Sequence, residues 1–312
     1  DFLSCNPAIP LSRFAMESKN HILTLLHPPH PEKIRTATYD FLRSSDTLPH
    51  RLDLIQQFST RHPFPLILKP DIGERGRGVT IINDLPQAQA WLEQLGPHHA
   101  LVQEYIPGPE FGLQWSHHPD WPEGKITSLA RKIPQSLTGD GHHTLEQLIL
   151  RDPRARAMAK HFFDQFCTEL DRIPSLNEQI PLTQLGTHCL GAVFEDARHL
   201  ITPALTETLN QLATHSPGIH FGRYDLRVPS EDHLQRGQGL VILELNGVTG
   251  EPAHIYQPDF PLLQGLRDLK NHYHLASQIG HHHTSNGHPP TSLKTLLATI
   301  RAHRQYTQDF HS

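Results

Sequence analysis

The feature that most constrains the fold is a glycine-rich loop between two short apolar runs, in the segment PLILKPDIGERGRGVTII. Residues 65–68 and 79–82 are typical of the two strands of a hairpin. Between them, Gly73, Gly76 and Gly78 lie within six positions. Because glycine costs backbone entropy, such a tip indicates that something approaches the main chain closely. The loop is therefore either a phosphate-binding loop, whose amide groups wrap phosphate oxygens, or an ordinary hairpin turn.

Lys69 ends the first of these strands and would supply a positive charge to an anion held by the loop. The chain contains neither a Walker A sequence nor a GxGxxG fingerprint. A phosphate site built here would therefore differ from both motifs.

A second motif, LVQEYIPGPE, predicts a strand that runs into a Pro-Gly turn flanked by Glu104 and Glu110. The backbone of such a strand can pair with the edge of an adenine, and a nearby carboxylate can accept hydrogen bonds from a ribose. The alternative is a purely structural hinge. On its own, the motif does not decide between the two.

Two later strands carry the side chains most typical of a metal site. In FGRYDLR, strand alternation places Arg223, Asp225 and Arg227 on one face. In VILELN, the same alternation places Ile242, Glu244 and Asn246 on one face and the remaining apolar residues on the other. If the strands are neighbours, three oxygen donors converge beside an arginine, which is a donor set that Mg²⁺ accepts together with phosphate oxygens. The alternative is a salt-bridge ladder on a solvated sheet surface.

Length and composition set the broad class of protein. A chain of 312 residues is long enough for two or three cores. No apolar run approaches the roughly 20 residues that cross a bilayer, so we expect no membrane-spanning segment. The net charge of −5 and the lack of a basic stripe argue against a nucleic-acid partner. Three scattered cysteines predict neither a disulfide framework nor a zinc site, and they favour a reducing cytoplasm.

The chain contains 26 histidines, many of them in pairs or in the triplet at 281–283. A compositional bias on a solvated surface is one interpretation. A histidine metal site is the other, although no HExxH or similar helical spacing supports it.

The order of predicted elements divides the chain into four segments. Residues 1–60 are expected to be helical and connecting, 61–108 to form a small lobe with the glycine-rich loop, 109–260 to form a larger lobe with the metal site, and 261–312 to form C-terminal helices. The segment DLPQAQAWLEQL gives the clearest helix, with Asp84 near its cap.

Taken in order, the strings LKPDIGERGRGV, QEYIPGPE, GRYD and LELNGVTGEPAH resemble the motifs of the ATP-grasp superfamily, whose members include D-alanine–D-alanine ligase and cyanophycin synthetase. The resemblance implies an α+β fold in which two α+β lobes clasp a nucleotide, with a short helical N-terminal segment and a helical C-terminal tail. A further string, RKIPQSLTGDGHHTLEQLI, looks like a segment of cyanophycin-synthetase-like ligases and favours amino-acid or peptide substrates. The superfamily usually has another domain before the grasp, so we expect residues 1–60 to be its remnant or the chain to be truncated upstream of Asp1.

The resemblance also implies roles for individual residues. ATP would be bound by Lys69, Gly73, Arg75, Gly76, Gly78, Gln103, Glu104, Tyr105, Ile106 and Glu110. Two Mg²⁺ ions, which Mn²⁺ could replace, would be held by Asp225, Glu244 and Asn246. Catalytic roles would fall to Arg223, Lys69 and Arg131, with Lys132 as the alternative to Arg131. The acceptor substrate would lie near Gly250 and His254, and the second lysine of the family would be Lys19, or failing that Lys33.

The resemblance implies an ATP-dependent, ADP-forming ligase that joins a carboxylate to an amine through an acyl phosphate. An ATP-grasp kinase, a carboxylate–thiol ligase and a non-catalytic ATP-binding module of a larger protein are the alternatives. The expected partners are a small-molecule carboxylate and a small-molecule amine, in the cytoplasm. A homodimer is neither required nor excluded by the sequence.

Overall fold

The computed structural model describes residues 1–73, 76–183, 186 and 191–309, without the side chains of the last three. Its strands are β1 (Ile34–Thr36), β2 (Tyr39–Leu42), β3 (Leu66–Pro70), β4 (Thr80–Ile82), β5 (Ala100–Glu104), β6 (Glu110–Ser116), β7 (Lys125–Ile133), β8 (Ser136–Thr138), β9 (Gln179–Pro181), β10 (Val193–Asp196), β11 (Phe221–Arg227) and β12 (Leu240–Asn246). Its helices are α1 (Lys19–Leu25), α2 (Leu48–Arg61), α3 (Leu85–Leu95), α4 (Leu145–Arg151), α5 (Pro153–Ala157), α6 (Ala159–Gln165), α7 (Pro203–His215), α8 (Glu231–Gln235), α9 (Leu262–Ser285) and α10 (Leu293–Asp309). The predicted α+β class is confirmed.

The glycine-rich loop connects two strands of a small four-stranded sheet with the order β2-β5-β3-β4. Strands β3 and β4 form the predicted antiparallel hairpin, in which Leu66 lies opposite Ile82. Helices α2 and α3 cover the sheet and bury Phe58 and Trp91 against β3. Because this core fixes both strands, the loop between them is anchored at its base.

A larger six-stranded sheet has the order β1-β12-β11-β6-β7-β10. One face of this sheet is apolar, with Trp115 and Tyr224 fully buried in a core shared with α1 and α7. Helix α7 contributes Leu205, Leu209 and Leu212, whose spacing places them on one face of the helix. Strands β6, β11 and β12 are adjacent, so the polar side chains on their opposite face can gather in one place.

The segment before residue 61 differs from the prediction that it is only helical and connecting. It contributes β1 to the large sheet and β2 to the small sheet. The chain passes between the sheets at Ala37, whose N–H donates to the carbonyl of Ile242, and at Thr38, whose carbonyl accepts from the N–H of Glu104. Three- and four-residue strands are too short for periodicity to reveal them. The division into four domains stays a prediction.

The C-terminal segment consists of two helices, as expected. Helix α9 packs Ala276 and Ile279 against Cys5 and Phe221, so it joins the N-terminal end of the chain to the large sheet. Within the described ranges, no helix combines the length and the apolar character that crossing a membrane requires.

Candidate active site

A cavity of about 670 Å³ is lined by residues of both sheets. The predicted site residues along its wall are Lys69, Gly73, Gly76, Gln103, Glu104, Tyr105, Ile106, Glu110, Arg223, Asp225, Glu244 and Asn246. Lys69 comes from the small sheet and the acidic residues come from the large one, and the structure brings both groups to the same cavity. Arg75 lies outside the described residues, and Gly78 and Arg131 do not contribute to the wall.

Lys69 is buried at the end of β3, with 5 % of its surface exposed. Its Nζ donates to Gln103 Oε1 at 3.0 Å and to the carbonyl of Leu243 at 3.1 Å. The second contact reaches from the small sheet to β12 of the large sheet. Burial lowers the pKa of Lys69 to about 8, although Glu244 opposes the shift. The lysine is therefore charged at neutral pH, at a cost to folding.

The acidic residues converge because β11 and β12 are antiparallel neighbours. Asp225 lies opposite Glu244, and Arg223 lies opposite Asn246, whose amide Nδ2 donates to Asp225 Oδ2 at 3.1 Å. A bulge after Asp225 shifts the pairing by one residue. For this reason Ile242, predicted to share a face with Glu244, is instead fully buried in the hydrophobic core.

Both carboxylates are held by cations. Arg13 forms an ion pair with Glu244, while Arg223 Nε lies 3.0 Å from Asp225 Oδ1. Burial alone would raise the pKa of Glu244, but Arg13, Lys19 and Lys69 outweigh it and lower the pKa to about 2. Burial likewise acts to raise the pKa of Asp225, but Arg223 leads the cations that bring it below its ordinary value. Both groups are therefore ionised at neutral pH.

Lys132 is the cation of β7 that lies in the cavity. Its Nζ is 3.0 Å from Glu110 Oε1 and 3.0 Å from Asp225 Oδ2. Glu110 is also held by Arg227, whose Nη2 is 3.1 Å from Oε2. Neighbouring strand residues point to opposite faces, so Arg131 is turned away from the cavity and pairs with exposed Glu231 at 2.8 Å. The placement of Arg131 in the site was wrong, and Lys132 occupies the position.

The predicted adenine hinge follows the end of β5. Pairing of β5 ends at Glu104, whose carboxylate accepts from the N–H of Thr38 at 2.6 Å and pairs with Arg35. The side chain of Glu104 thus joins the small sheet to the crossing segment, residues 35–38, where the chain passes from the large sheet to the small one. Tyr105 and Ile106 come after the ladder, and both line the cavity.

Around the glycine-rich loop, Gly76 and Gly78 have positive φ values of 73° and 70°, which side-chain-bearing residues rarely adopt. The carbonyl of Gly78 accepts from Trp91 Nε1 at 2.9 Å and so fixes the loop to α3. On the other arm, Lys19 Nζ donates to the carbonyl of Gly73 at 2.9 Å. Lys19 also lines the cavity, whereas Lys33 does not.

Arg13 and Glu17 are among the cavity residues that the sequence did not reveal. Residues 1–60 were expected to be helical and connecting, but α1 begins only after Ser18, which caps it by accepting from the N–H of His21 at 3.0 Å. Arg13 and Glu17 therefore lie in a non-helical segment that borders the cavity. Both carboxylate oxygens of Glu17 are buried and have no hydrogen-bond partner among the described residues. Burial raises the pKa of Glu17 to about 8, against the opposing effect of Arg13. The available signal was a run of charges, RFAMESK, in an otherwise apolar segment.

The predicted acceptor residues separate in the structure. Gly250 packs against Asn246 and Arg223, where an added Cβ would come within 3.0 and 3.1 Å of those side chains. His254, by contrast, is buried between Ser128 Oγ at 2.7 Å and Asp268 Oδ2 at 3.1 Å, outside the cavity wall. The expectation for His254 was therefore wrong.

Comparison with known proteins gives partial matches. Residues 14–110 match the model of the Tubulin-tyrosine ligase family. The chain is 30 % identical over 99 residues to the cyanophycin synthetase of Crocosphaera subtropica, which covers 29 % of this chain and 11 % of that protein. It is 25 % identical over 100 residues to the glutathione biosynthesis bifunctional protein of Listeria innocua serovar 6a, covering 30 % of this chain and 12 % of that protein. The matched part thus spans about a tenth of these curated relatives.

Among solved structures, the chain is similar to D-alanine–D-alanine ligase from Bacillus anthracis, with a TM-score of 0.48 and 14 % identity. That similarity covers 87 % of this chain and 68 % of the other. A likeness of this size supports no conclusion about activity. The sequence matches, however, agree with the resemblance that the motifs indicated.

Proposed function

We propose that this chain, which belongs to the ATP-grasp superfamily, is an ATP-dependent ligase that joins a carboxylate to an amine through an acyl phosphate. The observation that carries the proposal is the single cavity shared by Lys69 of the small sheet and by Asp225 and Glu244 of the large sheet. A lysine and ionised carboxylates in one cavity suit a triphosphate and its metal ions. The matched segment, 14–110, includes the loop and the lysine.

In this proposal, the adenine binds beside the main chain of Tyr105 and Ile106, with Glu110 near the ribose. The triphosphate extends under the glycine-rich loop towards Lys69. Lys19 positions this loop through its bond to the carbonyl of Gly73. The loop closes over the phosphates and keeps water away from the reacting groups.

The residues present fit Mg²⁺ chemically. Asp225, Glu244 and Asn246 offer oxygen donors from adjacent positions of two strands, and both carboxylates are ionised at neutral pH. A few carboxylates together with phosphate oxygens are what Mg²⁺ prefers, and Mn²⁺ accepts the same donors. When bound, two such ions would neutralise phosphate charge. The three residues named would hold them.

The reaction would proceed in two displacements. A carboxylate oxygen of the first substrate attacks the γ-phosphorus, the bond to the bridging oxygen breaks, and ADP leaves. The amine nitrogen then attacks the acyl carbon, and inorganic phosphate leaves with the electrons of the broken C–O bond. Arg223 would stabilise the negative charge of the tetrahedral intermediate. Glu17, with a pKa of about 8, would take the proton that the attacking amine must lose.

We further propose amino acids or short peptides as the substrates. The names of two relatives, a cyanophycin synthetase and a glutathione biosynthesis protein, support this class. The small number of cysteines supports a cytoplasmic location.

A phosphate-release screen over pairs of amino acids and short peptides tests the proposal. We expect ADP and phosphate only when Mg²⁺, ATP, a carboxylate and an amine are all present, and mass spectrometry should identify an amide. Asp225→Asn and Glu244→Gln should abolish turnover while the chain stays folded at the assay temperature, as circular dichroism would show. Asp232→Asn, at an exposed residue of α8, is the matched control.

Normal turnover by Asp225→Asn and Glu244→Gln would refute the metal assignment. A thioester or a stable phosphate ester as the product would instead identify the carboxylate–thiol ligase or the kinase. Tight ATP binding without ADP formation across the screen would identify a non-catalytic nucleotide-binding module.

A further inference from the structure

Several of the 26 histidines come together far from the cavity. His117 and His118 follow β6 in the connection to β7, and the triplet at 281–283 lies in the last turn of α9. The ring centroids of His118 and His282 are 5.5 Å apart. Asp120, in the β6–β7 connection, lies beside both rings. A helix end and a hairpin distant in sequence thus present imidazoles and a carboxylate to one another.

The distances within this cluster fit a small metal ion. His118 Nδ1 is 3.6 Å from Asp120 Oδ2, and His282 Nδ1 is 3.5 Å from Asp120 Oδ1. All three ligand atoms lie within 4.8 Å of one another. A tetrahedral Zn²⁺ with ligands at 2.0–2.1 Å separates its ligand atoms by about 3.4 Å. Each imidazole therefore lies at about this distance from one oxygen of Asp120, and rotation of the exposed Asp120 side chain would bring a single oxygen towards both rings.

The lone pairs needed for a metal are accessible. His118 Nδ1 only accepts a long contact, 3.3 Å, from the N–H of Asp120, which is an exposed loop amide that water can serve. The side chains of His118 and His282 are 17 % and 27 % exposed, so one side of the cluster faces solvent and the other is packed. Asp120 is 70 % exposed and can turn towards an ion at little cost.

Further imidazoles stand next to the cluster. His283 lies 4.6 Å from His220 between ring centroids, and His220 lies 5.9 Å from His117. The Nδ1 of His220 and the Nε2 of His283 are buried and have no hydrogen-bond partner in the part of the chain that the structure covers. Buried polar atoms without partners are uncommon in folded proteins, and here two of them lie beside the three candidate ligands.

We propose that His118, Asp120 and His282 bind a transition-metal ion, for which Zn²⁺ is the best fit, with water in the fourth position. Imidazole together with one carboxylate favours Zn²⁺ over Mg²⁺ and Ca²⁺, which prefer oxygen ligands throughout. The ion would fasten the end of α9 to the β6–β7 connection. Zn²⁺ bound by two neutral imidazoles and one carboxylate would have a net charge of about +1. Solvent on the exposed side of the cluster would stabilise this charge.

This site is independent of the proposed ligase activity. Strand β6 begins at Glu110, in the cavity, and ends at Ser116, next to the histidines. Seven residues of extended chain separate these points by about 20 Å. Excess Mg²⁺, which prefers oxygen ligands, should therefore compete with Zn²⁺ for the carboxylates of the cavity and not for the imidazoles.

Calorimetric titration of the full chain with Zn²⁺, in excess Mg²⁺ and with a weak competing chelator, tests the proposal. We expect one equivalent to bind and the thermal midpoint to rise, because an ion that binds only the folded chain stabilises it. X-ray absorption should show two imidazole ligands at about 2.0–2.1 Å. His118→Ala, His282→Ala and Asp120→Asn should each weaken binding at least tenfold.

His281→Ala is the matched control, because His281 belongs to the same triplet but is 73 % exposed and pairs with Asp1. It should bind Zn²⁺ as the wild type does. Asp120→Asn, at an exposed loop residue, guards against a loss that merely reflects unfolding. The proposal is overturned if the three variants bind Zn²⁺ normally, if His281→Ala weakens binding as much as they do, or if no ion binds in the presence of the chelator.

Discussion

Replacing Lys69 with methionine should change the free energy of unfolding and the affinity for ATP in different directions. Methionine has nearly the shape of the lysine stem and lacks the charge. The pKa of Lys69 falls from 10.5 to about 8 on burial, which corresponds to about 3 kcal/mol against the buried charge. Lys69→Met removes this cost.

The variant also loses two hydrogen bonds, but not equally. The carbonyl of Leu243 keeps a donor, because the Nε2 of Gln103 lies 3.5 Å from it. Only Gln103 Oε1 is left without its partner, at a cost of about 2 kcal/mol for a buried acceptor. The removed cost of the buried charge and the lost hydrogen bond of Gln103 together predict that Lys69→Met is as stable as the wild type or more stable by about 1 kcal/mol. A structural lysine would give the opposite sign.

Binding should change in the other direction. A charge-assisted hydrogen bond to phosphate contributes about 1.5–3 kcal/mol, so Lys69→Met should bind ATP about tenfold to a hundredfold more weakly. The wild-type affinity should fall as the pH rises through about 8, where Lys69 loses its proton, and the variant should not show this fall. Urea denaturation and calorimetry measure the two quantities.

The control is Lys270→Met, at an exposed lysine of α9, which should change neither quantity. The reasoning fails if Lys69→Met loses more than about 2 kcal/mol of stability while ATP binds with its original affinity. That combination would mean that the lysine supports the fold through its contacts and has no part in binding phosphate.

Three further predictions concern other groups. Arg131→Gln should leave kcat/KM within about twofold, whereas Lys132→Gln should lower it about a hundredfold, because only Lys132 lies in the cavity; equal effects would contradict the assignment. With ATP saturating, the wild-type rate should rise with pH through about 8 as Glu17 loses its proton, and Glu17→Gln should show no such rise in a pH–rate profile. Burial lowers the pKa of His272 to about 4, so the unfolded chain takes up the proton first and stability is lost as the pH falls from about 6.5 to 4. In denaturation experiments at pH 7 and 4.5, His272→Phe should lose less free energy of unfolding between the two pH values than the wild type. An equal loss would contradict the role given to His272.

The sequence predicted the acidic wall of the cavity because strand alternation is a local property. Arg223, Asp225, Glu244 and Asn246 were expected on one face, and the register pairs them directly across two neighbouring strands. Alternation failed at Ile242 because a bulge adds one residue to one strand and shifts every position beyond it. Nothing in the string VILELN marks where the extra residue lies.

The remaining site residues depended on contacts between distant parts of the chain. Arg13 and Glu244 are 231 positions apart, and their ion pair forms only after the N-terminal segment has folded back over β12. The same holds for Glu104 and Arg35, which meet because the crossing segment joins the two sheets. Periodicity describes the faces of single elements, so it cannot report which of two distant segments will supply the partner of a buried charge.

The charges of the cavity are paired with one another, and this pairing determines what can bind there. Lys132 lies between Glu110 and Asp225, Arg223 also holds Asp225, and Arg13 holds Glu244. An anion alone would have to compete with Asp225 and Glu244 for these cations, and a metal ion alone would have to compete with the cations for the carboxylates. A ligand that brings both signs exchanges every pair at once and leaves no buried charge without a partner. A nucleotide triphosphate carrying Mg²⁺ has that composition, so the ion pairs favour the metal-bound nucleotide over either component alone.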